Sequence, residues 1–216
     1  MREELLEMLR QAGAVLEGHF KLTSGRHSDI YFEKFQVLQY PAHTQRLCGL
    51  IADRFRGSGV DLVAGPTTGG VILSFEVARQ LGVRGIFAET VGEERRFLRG
   101  FRVKQGERVL VVDDVLTTGG SIRQVIDAVR REGGEPVGVA VLVDRTGGKA
   151  DFGLPFFACL ELVVASYEAA ECPLCREGVP LTETYRLCSR SRGAGILPAS
   201  LFDRCSEGLL YCQRGR

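Results

Sequence analysis

From residue 60 onward the chain alternates short apolar, β-branched runs with longer stretches of helical period. The runs are Val60–Ala64, Val83–Ala88, Arg108–Val112, Val137–Val143 and Cys159–Val164. Between them, Gly69–Leu81 and Ser121–Arg131 repeat apolar residues at three and four, and Ile122, Val125, Ile126 and Val129 form the stripe of the second. Continuous apolar strands separated by amphipathic helices predict an α/β fold with a doubly wound, mainly parallel sheet covered on both faces. Ligands of such sheets gather at the carboxyl ends of the strands.

The ends of the chain read differently. Arg2–Gln11 predicts a short amphipathic helix, and the polar and aromatic segment Gly18–Tyr40 predicts a small hood over the sheet, so that residues 1–40 form a lid-like layer. Pro41 opens a helix through Arg54 or Phe55, with Leu47, Leu50, Ile51 and Phe55 on one stripe. After Leu181 the strand and helix logic stops. Residues 182–216 carry three of the seven Cys and six Arg, and are expected to form an irregular extension beyond a domain of residues 1–181.

Composition narrows the function classes. A chain of 216 residues, 44% hydrophobic and 25% charged with net charge +1, has the balance of one globular domain and excludes disorder. That near-neutral balance also argues against a surface built to neutralise nucleic-acid phosphates. The longest apolar run, Val137–Val143, falls far short of the ~18 residues of a membrane span. The start, Met1–Glu7, alternates charge with Leu and lacks the apolar segment of a secretory signal, so a cytoplasmic protein with reduced thiols is expected. Cys172 and Cys175 have the spacing of half a zinc knuckle. A second pair at that spacing is missing, since only Cys188, Cys205 and Cys212 follow, and two reduced thiols in a turn are the expectation.

The strongest chemical signal is the segment Val109–Ser121. Four apolar residues, Val109 to Val112, deliver the adjacent carboxylates of Asp113 and Asp114 to a strand end; Val115, Leu116, Thr117, Thr118, Gly119, Gly120 and Ser121 then turn directly into a helix. Such a turn offers backbone N–H groups and two Thr hydroxyls to an anion at the positive end of the helix dipole. Carboxylates accept hydrogen bonds from sugar hydroxyls, so acids and turn together fit a ribose 5-phosphate. Neither a Gly-x-x-x-x-Gly-Lys-Ser/Thr loop nor a Gly-x-Gly-x-x-Gly fingerprint is present. Ala64–Val71, containing Thr68 and Gly69, repeats the strand-to-helix turn and is either a second anion cradle or a structural connection.

Residues 109–121 resemble the diphosphate-sugar signature of the type I phosphoribosyltransferases, which bind 5-phosphoribosyl 1-diphosphate with Mg²⁺ and move the ribosyl group onto a nitrogenous base. Gly18–Phe32 further resembles the hood of the orotate enzymes, as does Cys172-Pro173-Leu174-Cys175 those of a bacterial and archaeal subset. The resemblance implies that Asp113 and Asp114 hold the ribose hydroxyls or metal waters and that Thr117–Ser121 take the 5′-phosphate, with Thr117 also near the base. It implies that Thr68 and Gly69 contact the diphosphate, and that Tyr31 and Phe32 lie against the orotate ring. Without it, those two rings read as core aromatics. Arg145, just past an expected strand, matches the orotate carboxylate in its planar fork; as a surface residue it would pair with Asp144 or Asp151.

Two departures from the family pattern stand out. A Lys that many members carry before Ser-Gly is Thr23 here, with Lys21 close by, and the mobile catalytic loop, usually rich in Lys with a His, reads Glu89–Gly100 with Arg95, Arg96 and Arg99 as its cations. The resemblance implies a homodimer in which that loop, hinged at Gly92 and Gly100, brings Arg95 and Arg96 over the leaving diphosphate. It implies orotate phosphoribosyl transfer in pyrimidine synthesis. A nucleotide-sensing regulator without turnover, or a purine enzyme, are the alternatives.

Overall fold

The computed structural model describes residues 2–182 other than 23 and 163, so the expected extension beyond Thr182, and Thr23, lie outside the described residues. Its centre is a six-stranded sheet built from β3 (Leu62–Pro66), β4 (Arg84–Val91), β5 (Glu94–Phe97), β6 (Arg108–Leu116), β7 (Glu135–Asp144) and β8 (Phe156–Glu161), in the order β5-β4-β3-β6-β7-β8. Every neighbouring pair is parallel except β4 with β5. The period-two alternation of strand side chains divides β6 between two cores. Leu110 and Val112 join Leu73 and Val77 of α4 (Gly69–Leu81) and Leu47 and Ile51 of α3 (Pro41–Phe55), whereas Val109 and Val111 join Ile122, Val125 and Val129 of α5 (Gly120–Arg131). The apolar runs of the sequence are apolar throughout because both of these faces are dry.

All five expected strands are present, with ends shifted by a few residues. Within Glu89–Gly100, expected as a mobile loop, the backbone forms a hairpin. β4 continues to Val91, Gly92 turns the chain at φ 63°, and β5 returns with Thr90 opposite Arg95 and Ala88 opposite Phe97. The segment holds few apolar residues, so periodicity gave no strand signal. What makes it a strand is the unpaired edge of β4, which satisfies its backbone, together with buried Phe97 and contacts from α5: Arg131 donates to the Glu94 carboxylate and the Arg95 carbonyl, and Gln124 to the Glu93 carbonyl.

The hood consists of α1 (Arg2–Gln11), the antiparallel pair β1 (Val15–Lys21) and β2 (His27–Phe32), and α2 (Lys34–Leu38). Leu5, Met8 and Leu9 of α1 enter the α3–α4 core. The hairpin is tied to residues 165–182, which include α6 (Pro173–Arg176). His27 and Tyr167 exchange backbone hydrogen bonds at 2.8 Å, Ser28 Oγ donates to Ala165 O at 2.9 Å, and Thr182 N donates to His19 O at 2.6 Å.

Candidate active site

The strand order reverses between β3 and β6: β3 connects through α4 to β4 on one side, and β6 through α5 to β7 on the other. Two strand-to-helix turns therefore face each other across the crevice at this switch point. α4 has Thr68 as its N-cap and α5 has Gly119, and neither helix receives a side-chain cap. The first N–H groups of a helix have no intrahelical acceptor, so two uncapped, positively polarised ends open on one crevice. Gly119 sits at φ 79°, in the left-handed region that only glycine adopts without strain. Thr117, Thr118, Gly120 and Ser121 are exposed around it.

Strand alternation sends the two acids to opposite faces of β6. Asp114 turns to the α4 and hood side, where Lys34 Nζ stands 3.0 Å from Oδ1, with hydrogen-bond geometry, and 2.9 Å from Oδ2, as an ion pair without a directed hydrogen bond. Gly69 makes room for it: a Cβ there would lie 1.7 Å from Asp114 Oδ2. Asp113 turns to the other side, within reach of the Arg95 charge, and accepts from the Asp114 N–H at 2.8 Å. Burial first, and then the negative charge of Asp114, push the Asp113 carboxyl up to about 7, against the pull of that N–H, Lys34 and Arg95. Arg95 bonds the Thr67 carbonyl and hydroxyl and the Ala88 carbonyl at 3.3–3.4 Å, while its buried Nε meets no acceptor among the described residues.

Arg145 follows β7, its N–H donating to Leu116 O at 2.9 Å, which places it beside the end of the acid-bearing strand. Neither neighbouring acid neutralises it. Asp144 is buried and accepts from Thr146 N and Oγ1 at 2.7 Å and from Gly148 N at 3.2 Å, and Asp151 accepts from Gly153 N at 2.8 Å. Among the described residues no carboxylate lies within ion-pair distance of Arg145. Burial lowers the affinity of its guanidinium for the proton, and the Tyr31 phenol of the hood is close enough to oppose that effect.

Residues 35–163 match the family model of the phosphoribosyl transferase domain. The chain is 50% identical over 179 residues to the orotate phosphoribosyltransferase of Pelotomaculum thermopropionicum, covering 83% of this chain and 94% of that one. It is 47% identical over 182 residues to that of Caldanaerobacter subterraneus subsp. tengcongensis, covering 84% and 96%. The chain belongs to the orotate phosphoribosyltransferase family. The crystal structure of the Aeropyrum pernix orotate phosphoribosyltransferase superposes with a TM-score of 0.65 at 28% identity, covering 73% of this chain and 93% of that one.

Against the orotate phosphoribosyltransferase pattern, the structure brings together Asp113, Asp114, Val115, Leu116, the turn Thr117–Ser121, Thr68, Gly69, Arg95, Arg145 and Tyr31, and separates two residues from them. Phe32 is buried in the α3–α4 core, because it alternates with Tyr31 along β2; the two do not form a paired platform, and Tyr31 instead packs on Phe20 with ring centroids 5.6 Å apart. Arg96 alternates with Arg95 on β5, so it is exposed and pairs with Glu94 at 3.3 Å, beside Arg131 and Glu132 of the α5 region. Lys34 was missed by sequence reasoning. It sits two residues past the hood motif, and a lone Lys after an acidic residue carries no pattern that distinguishes it from surface.

Proposed function

We propose that the chain transfers the ribosyl 5-phosphate group of 5-phosphoribosyl 1-diphosphate to orotate. A ring N–H nitrogen of orotate gives up its proton and forms a bond to the ribosyl anomeric carbon as the bond from that carbon to diphosphate breaks, giving orotidine 5′-phosphate, diphosphate and a proton. Arg145 is the observation that carries this reading. A half-buried guanidinium without an acidic partner among the described residues, beside the acid-bearing strand and Tyr31, fits a base that brings its own carboxylate. Adenine or hypoxanthine would leave it unpaired.

The remaining residues supply alignment and charge. The uncapped turn Thr117–Ser121 takes the 5′-phosphate, the turn at Thr68–Gly69 with Arg95 takes the diphosphate, and Asp113 and Asp114 accept from the ribose hydroxyls. Asp114 Oδ2, with no directed hydrogen bond, and the raised proton affinity of Asp113 mark an acid pair fitted to a cation's waters. Mg²⁺ held mainly by substrate oxygens, with waters on these acids, would neutralise charge on the leaving diphosphate. The same reading takes residues 1–181 as the catalytic domain of a cytoplasmic homodimer; no helix among the described residues is long and apolar enough to cross a membrane.

The test is a spectrophotometric assay of orotate consumption with Mg²⁺, run beside adenine, hypoxanthine, xanthine and uracil. Turnover of orotate alone is expected. Turnover of a purine instead would transfer the assignment to the purine class, and tight orotidine 5′-phosphate binding without turnover would make the chain a sensor.

A further inference from the structure

Away from the crevice, four side chains with metal-ligating atoms converge between the hood hairpin and the residues that hold it down. His19 of β1, His27 of β2, Cys172 and Cys175 place their ligand atoms all within 4.8 Å of one another. His19, His27 and Cys172 are buried, so these are not groups gathered by chance on a wet surface. Two imidazoles and one thiol have few reasons to share a dry point, with a second thiol, the exposed Cys175, closing it from the surface. A hydrophobic cluster of the same volume would fold with less polar burial.

We propose that these four residues form a closed, tetrahedral zinc site that fastens the hood to the carboxyl-terminal part of the domain. A Cys₂His₂ shell at ordinary zinc bond lengths has N···N edges of about 3.3 Å and N···S edges of about 3.6 Å. His19 Nε2 lies 2.9 Å from His27 Nδ1, 3.5 Å from Cys172 Sγ and 3.6 Å from Cys175 Sγ, and Cys175 Sγ lies 3.2 Å from His27 Nδ1. Each of these four separations is within about 0.5 Å of a zinc polyhedron edge. The tautomer also fits. Val179 O stands 2.7 Å from His19 Nδ1 and can only accept, so Nδ1 carries the proton and the Nε2 lone pair faces the cluster. Four protein ligands leave no open position, which makes the site structural.

The consequence is mechanical. β2 carries His27 at its start and Tyr31 near its end, so a metal joining β1, β2 and the Cys172–Cys175 turn fixes the strand that brings Tyr31 to Arg145. Among the described residues this seam is also held by hydrogen bonds and, at the surface, by the Arg26 pair with Glu168.

Full-length protein purified without chelator or affinity tag should contain about one zinc per chain by mass-spectrometric metal analysis. Cys172→Ser and His27→Ala should each lose most of it, while His43→Ala, which alters the third histidine of the chain, keeps it. Should the ligand variants fail to fold, cobalt replacing zinc in the wild-type protein decides: thiolate-to-cobalt charge transfer and tetrahedral d–d bands are expected. Chelation should speed proteolysis within residues 1–40 by about tenfold, reversed by zinc and not by Mg²⁺. Metal-free wild-type protein from zinc-supplemented cells, a Cys172–Cys175 disulfide in place of two thiols, or zinc retained by a Cys172→Ser, Cys175→Ser double variant would overturn the site.

Discussion

The proposed phosphate side and the proposed base side of the crevice are built in contrasting ways. On the phosphate side, one uninterrupted segment from Val109 to Ser121 supplies the strand, both acids, the turn and the helix start. On the base side, Tyr31 and Lys34 come from the hood, Arg145 from just past the end of β7, and the hood is itself secured by residues from 165 onward. A locally encoded site keeps its geometry for as long as one strand and one helix pack together. A site assembled from distant pieces depends on every interface that holds those pieces in register.

The sharpest way to break the phosphate side is to neutralise its acids. Asp113→Asn and Asp114→Asn should each remove hydrogen bonds worth roughly 1–3 kcal/mol, lowering turnover about five- to 150-fold while cooperative unfolding persists. Asp114→Asn should be the worse of the two, since it also leaves Lys34 without its ion pair. Wild-type kinetics in both variants would remove the acids from the site.

A smaller and more selective effect is expected on the base side. Arg145→Ala should raise the KM for orotate by about tenfold or more, the equivalent of a charge-assisted hydrogen bond, and that of 5-phosphoribosyl 1-diphosphate by less than about twofold. Equal changes in both constants would reduce Arg145 to a structural role. On β5 the comparison can be made between adjacent residues: Arg95→Ala should lower kcat by about tenfold and Arg96→Ala by less than about twofold, because an exposed pair such as Arg96 with Glu94 contributes little. Similar losses would mean that the hairpin rearranges to bring both cations inward.

The last effect is on stability. Asp113 takes up its proton at about 7 in the folded chain, against an ordinary value of 3.8, so between these pH values the folded state holds a proton that the unfolded state has released. The wild-type protein therefore loses stability relative to Asp113→Asn as pH rises from about 4 to about 7, and the difference is level beyond. Urea unfolding of both proteins without ligand, at unit steps of pH, measures it. A pH-independent difference would show that the folded carboxyl titrates normally.

Where a feature was legible in the sequence, its cause was local. The strands carry their apolar residues in series, and α4 starts and ends where its glycines and period place it, at Gly69–Leu81. The hairpin β4–β5 was not legible, because an edge strand of charged residues owes its pairing to a neighbour and not to its own pattern. The divergence of Tyr31 from Phe32 and of Arg95 from Arg96 has one cause. Adjacent residues look like one group in a motif, but on a strand they point to opposite faces.

The sequence alone determined the α/β architecture, the place of the crevice at the strand ends and the acid-turn-helix unit, since each follows from propensities and periods acting over about ten residues. Tertiary structure decided which of two neighbouring side chains faces the crevice, that Lys34 meets Asp114, that Arg145 has no acidic partner among the described residues, and that His19 and Cys172, 153 residues apart, come within 3.5 Å. Those outcomes depend on how separately folded elements dock. A linear pattern has no term for contacts between residues that only the burial of two apolar faces brings together.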